Sequence, residues 1–132
     1  LNGAVVVCTP QDVALLDAVR AARMYQMLKV EVLGIVENMS YFIAPDTGKE
    51  YDLFGKGGAE KAAARIQVPF LGSIPINVAI RVSGDKGNPA DVFEKDSQGV
   101  GRAVQKVVES IAGQISVRNE SKPAQVELNI HR

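Results

Sequence analysis

Short apolar runs alternate with amphipathic stretches along most of this chain. The opening run Ala4-Val5-Val6-Val7-Cys8 is apolar at every position, the pattern of a strand buried on both faces. Thr9 follows as a capping hydroxyl, Pro10 as a first helical residue, and Asp12 completes an approximate capping box. The spacing then predicts a helix to about residue 28, with Val13, Leu16, Val19 and Met27 on its apolar stripe. Residues 30–36 predict a second strand, whose stretch from Val32 to Val36 is β-branched and apolar on both faces, as in a buried parallel strand.

Beyond it, Phe42-Ile43 and Tyr51-Asp52-Leu53 are expected to pair as a small hairpin across Pro45-Asp46-Thr47-Gly48. Residues 57–66 predict an Ala-rich helix that stops before Pro69, and Phe70-Leu71-Gly72-Ser73-Ile74 a third strand. A short helical piece is expected at residues 78–82 and a turn-rich stretch at 83–89. Asp96 or Ser97 is expected to cap a last helix to about residue 115, with Val100, Ala103, Val104, Val107, Val108 and Ile111 facing the core. The polar tail breaks at Lys122-Pro123 and then alternates over 125–130, as an opening strand would. Strand, helix, strand, helix, strand, helix implies an α/β fold: a partial doubly wound parallel sheet with right-handed crossovers and a small hairpin insert. Residues 1–117 are expected to form one domain portion and 118–132 a linker or tail.

Composition narrows the function classes. Apolar content of 46% and charged content of 23% suit a soluble globular chain, and its 15 basic and 15 acidic residues cancel. That balance predicts no electrostatic pull toward nucleic acid or an anionic membrane. No apolar run approaches the roughly 20 residues a membrane helix needs. The single cysteine forms no internal disulfide and, with no leader segment expected ahead of the first strand, points to the cytoplasm. Because the chain opens on Leu1, it reads as a piece of a longer polypeptide.

Ligands of open α/β sheets sit beyond the carboxyl ends of the strands. Glu37 and Asn38 end the second strand, so both are expected beside a ligand, and the Asn38 amide suits a purine edge. A phosphate loop of the form G-x-x-x-x-G-K-[ST] is absent. Gly55-Lys56-Gly57-Gly58-Ala59-Glu60-Lys61-Ala62 is its nearest imitation. There Glu60 sets a carboxylate where a glycine belongs, and Ala62 lacks the hydroxyl that holds Mg²⁺. The plainer reading is a glycine-flexed loop entering a surface helix. Cys8 reads as a small buried apolar residue, Asp17 and Arg20 as a surface pair, and His131 as no metal ligand.

Three ordered motifs carry a family resemblance. They are Val32-Leu33-Gly34-Ile35-Val36-Glu37-Asn38-Met39-Ser40-Tyr41-Phe42, Phe54-Gly55-Lys56-Gly57-Gly58-Ala59-Glu60-Lys61 and Val68-Pro69-Phe70-Leu71-Gly72-Ser73-Ile74-Pro75. Together with Thr9-Pro10-Gln11-Asp12-Val13-Ala14-Leu15-Leu16-Asp17, they resemble the C-terminal part of the Mrp/ApbC-type P-loop ATPases. Those are iron–sulfur cluster carriers related to the MinD/ParA group. The resemblance implies the C-terminal half of a P-loop NTPase fold. It also implies an ATP- and Mg²⁺-binding homodimer in the intact protein, with an apo iron–sulfur protein as client and no nucleic acid or membrane partner.

The resemblance makes Asn38 the reader of the adenine edge, with Pro75, Ile76 and Asn77 packing against the base. Residues 9–17 would either face a partner subunit or form an ordinary capped core helix. Cluster-carrying members place C-x-x-C where this chain has Ala44-Pro45-Asp46-Thr47, and neither Ala44 nor Thr47 supplies a thiolate. Cluster binding by the usual route is therefore not expected, and the turn is read as a structural hairpin. The phosphate loop, catalytic lysine and magnesium-binding acid of the family all lie upstream of Leu1, so this chain alone is expected not to hydrolyse ATP. Two alternatives stand beside this reading: a non-catalytic interaction or dimerisation module using an open sheet edge, and a fragment of a MinD/ParA-type positioning ATPase.

Overall fold

The computed structural model describes residues 1–94 and 99–121. In chain order the elements are β1 (Ala4–Cys8), α1 (Asp12–Met27), β2 (Val32–Glu37), β3 (Phe42–Ile43), β4 (Glu50–Tyr51), α2 (Gly58–Arg65), β5 (Phe70–Ser73), α3 (Val78–Asp85), α4 (Asp91–Glu94) and α5 (Val100–Ser121). β1, β2 and β5 form a parallel sheet in the order β1-β2-β5. The register runs from Ala4 opposite Val32 to Cys8 opposite Glu37, and from Ile35 opposite Phe70 to Glu37 opposite Ser73. β2 is the central strand and every residue of it is buried, which is why its sequence is apolar without alternation.

Helices cover both faces. α1 and α2 lie on one, where Val6, Cys8, Val32 and Ile35 meet Ala18, Ala22, Ala59 and Ala63. α5 lies on the other, where Val36 and Leu71 meet Val107. Alanines and glycines bring these layers close. A Cβ on Gly34 would lie 2.5 Å from the Pro69 carbonyl oxygen, and one on Gly72 would lie 2.9 Å from Val107 Cγ2. The hairpin pairs Phe42 with Tyr51 and Ile43 with Glu50, so Glu50 stands where Asp52-Leu53 was expected to contribute.

Several expectations need correction. α1 begins at Asp12 with Gln11 as its N-cap, and the Thr9 hydroxyl lies 3.2 Å from the Gln11 side chain rather than on a helix amide. Its first repeating bond runs from Leu15 N to Gln11 O, so buried Pro10 belongs to the crossing from β1, not to the helix. The core side of α1 is Leu15, Ala18, Ala22 and Tyr25. Val13, Leu16 and Met27 are 75%, 53% and 83% exposed, because they turn away from that side of the helix. The stretch at 83–89 is also partly helical: α3 runs through Ser83 and Gly84 to Asp85, and α4 follows.

The last helix continues to Ser121. Arg118 near its end reaches the Val32 carbonyl at 3.3 Å and lies 2.6 Å from the Glu31 carboxylate. Val108, expected in the core, is 55% exposed. The expected cap at Asp96 or Ser97, the alternating tail and His131 fall outside the described residues.

Candidate functional site

The carboxyl ends of the three strands lie together, and the turn after β2 is built on them. Asn38 N donates to the Cys8 carbonyl at 2.7 Å, tying the turn to β1. Ser40 N donates to the Ile74 carbonyl at 3.0 Å and Ile74 N to the Glu37 carbonyl at 2.8 Å, tying it to the end of β5. Between them Met39 sits in the left-handed region at φ 53°. Asn38 Oδ1 accepts from Met39 N at 2.9 Å, which steadies a half-buried side chain and leaves its NH₂ group as a donor. Asn38 faces a cleft of about 520 Å³ along β1, the edge strand among the described residues, with Val7, Cys8, Thr9 and Asp17 among the other walls.

The second half of the expected base site lies on the β5 side. Pro75 is buried, and Ile76 N donates to the Tyr41 carbonyl at 2.7 Å while its strand position bridges Phe42. Asn77 caps α3, its Oδ1 accepting from Ala79 N at 2.7 Å. The backbone of residues 38–42 joins the two halves, but Pro75, Ile76 and Asn77 are not among the described walls of the Asn38 cleft.

Glu37 departs most from the sequence reading. Expected beside a ligand, it is 2% exposed and turned into the protein. One carboxylate oxygen accepts the Ser40 hydroxyl at 2.5 Å and the other accepts Ala59 N at 2.9 Å, in the first turn of α2. The signal was strand alternation: Ile35 and Glu37 share a face, and that face lies under α2. This contact also decides the Gly55-to-Ala62 segment. A phosphate loop offers its helix-start amides to phosphate, whereas here the chain's own carboxylate already takes the Ala59 amide.

The hairpin turn is closed by its own bonds. Gly48 N donates to the Ala44 carbonyl at 2.8 Å, Thr47 N to Asp46 Oδ1 at 2.9 Å, and Lys49 N to Thr47 Oγ1 at 3.3 Å. Ala44 and Thr47 hold no thiolate, and Cys8 is buried in β1, so these residues do not fit a cysteine-ligated cluster. Among the described residues no three of His, Cys, Asp and Glu are grouped to hold a metal ion. Burial, and after it the Glu37 charge, push the Cys8 thiol from 9.0 up to about 11. Burial and the nearby Glu50 also raise the Tyr41 hydroxyl above its ordinary range. Among the described residues no helix is long and apolar enough to cross a membrane.

Comparison with known proteins adds three findings. A family model described as ParA, NUBPL iron-transfer P-loop NTPase, matches residues 1–112. The iron-sulfur cluster carrier protein of Deinococcus radiodurans is 51% identical over 122 residues, which cover 92% of this chain and 34% of that protein. The chain thus spans about a third of that curated relative's length. Among solved structures, a nucleotide-binding protein of Archaeoglobus fulgidus in complex with ADP matches with a TM-score of 0.59 at 40% identity. That match covers 67% of this chain and 36% of the other. The cell division ATPase MinD of Pyrococcus furiosus matches with a TM-score of 0.62 at 25% identity, over 85% of this chain and 43% of its own.

Proposed function

Because the chain belongs to the ParA/NUBPL family of iron-transfer P-loop NTPases, we propose that it is the C-terminal, base-side portion of an ATP-binding iron–sulfur cluster carrier. Residues 1–117, with the remainder of α5, are its share of the nucleotide domain. The carrier as a whole works in the cytoplasm as a homodimer that hands a cluster to an apo iron–sulfur protein. Asn38 reads the adenine edge, and Pro75, Ile76 and Asn77 support the wall beside it. Mg²⁺ and the triphosphate are held by the remainder of the polypeptide, which adds its strands along the free edge of β1. A cluster, as cargo, is held elsewhere than at Ala44 and Thr47.

The observation that carries this reading is the position of Asn38. It lies at the carboxyl end of the central strand, with its NH₂ a donor, at the mouth of a cleft that follows β1, the edge strand among the described residues. The relative bound to ADP supports nucleotide binding by the parent fold. To test it, the chain is extended with its own upstream coding segment and titrated with ADP and GDP. Binding is expected in the longer polypeptide only, and Asn38→Ala should reduce the preference for adenine about tenfold, as loss of a base-edge hydrogen bond does. An unchanged preference removes Asn38 from the site. The alternative of a positioning ATPase draws on the MinD likeness, but the 51% identity to a cluster carrier favours the first reading.

A further inference from the structure

Glu37 keeps a carboxylate in the interior without a basic partner. Among the described residues every ion pair of Lys or Arg is made with another acid, and Lys56, the basic residue lining the same small cavity, pairs with Asp52. Its compensation comes instead from two donors far apart in sequence, the Ser40 hydroxyl and the Ala59 amide. Ser40 closes the turn that carries Asn38. Ala59 lies in the first turn of α2, whose N-cap is Gly57, a residue in the left-handed region with no side chain to offer. A buried carboxylate at a helix start both satisfies an orphan amide and meets the positive end of the helix. Its two oxygens take one donor each.

We propose that Glu37 is a positioning residue that locks the Asn38 turn to the first turn of α2, and through Gly57 to the hairpin insert. The proposal rests on the reading of Asn38 as the base contact. The insert is held to the base side at two points: Ile76 N to Tyr41 O at its start, and Glu37 to Ala59 beyond its end. Fixed at both, it follows any movement of the turn that grips the base. Glu37 itself touches no ligand in this arrangement; it acts through Asn38.

Amide exchange followed by NMR on the 132-residue chain tests the lock without nucleotide. Ser40→Ala is expected to raise exchange roughly tenfold at residues 39–41 and also at 58–61, although the bond its hydroxyl makes is to Glu37 and not to α2. Glu37→Ala should do the same at both places, and Glu37→Gln should restore most of the protection. A Ser40→Ala effect confined to 39–41 overturns the lock, and so does a Glu37→Ala chain that folds with unchanged exchange. If Glu37→Ala does not fold, Ser40→Ala decides. In the extended polypeptide, Ser40→Ala should lower the preference for ADP over GDP while leaving GDP affinity unchanged. An equal loss of both would mark a purely structural role. Failure of the base reading shows separately, as Asn38→Ala leaving the preference intact while the exchange coupling persists.

Discussion

Gly34 illustrates how much a single hydrogen can decide in this sheet. At φ 152° it passes so near β5 that an added methyl would meet the Pro69 carbonyl oxygen, backbone that cannot step aside. Gly34→Ala is expected to destabilise the chain by about 3 kcal/mol in a urea titration, the upper range for overpacking. Cys8 makes a different residue-scale prediction. A folded thiol raised from 9.0 to about 11 holds its proton while the unfolded thiol releases it. Stability is therefore untouched by this group below about pH 9 and falls as pH rises from there toward about 11. The same shift predicts alkylation of Cys8 by iodoacetamide at pH 8 far slower than in the urea-unfolded chain. Cys8→Ala should flatten the alkaline part of the stability profile.

At the scale of elements, the parallel strands were legible because burial on both faces leaves a continuous apolar run, as at residues 4–8 and 32–36. The orientation of α1 was not. Its bulky stripe of Val13, Leu16 and Met27 drew the reading, while the side that packs on the sheet has Ala18 and Ala22 at its closest approach, flanked by Leu15 and Tyr25. Ala22→Leu should cost about 1–3 kcal/mol, and Val13→Gln with Met27→Gln less than about 0.5 kcal/mol each, measured by thermal unfolding. The extension of α3 past residue 82 was masked by Ser83 and Gly84, which read as turn formers until Asn77 is seen capping the helix. Asn77→Ala should remove about 1 kcal/mol through that cap, with the loss read as fraying of α3 amides. Of the expected site, Asn38 was legible from its place after an apolar run. Alternation with Ile35 could have set Glu37 on the covered face, but its donors, one of them a backbone amide 22 residues away, are not legible in local sequence.

At the scale of the molecule, the described residues form a three-stranded slice of a doubly wound sheet, helices on both faces. Positioning and charge stabilisation drive phosphoryl transfer, and the one loop resembling a phosphate cradle is closed by Glu37. The chain alone should show no ATP turnover above buffer background, and a measurable rate would overturn that account. The flank of β1 that no strand covers among the described residues, with Val7 60% exposed, has a consequence for handling the protein. Unsatisfied amides and carbonyls along a strand recruit other strands. Turbidity on storage should therefore grow faster than linearly with concentration, and Val7→Lys should delay its onset by planting a charge where strangers would otherwise dock.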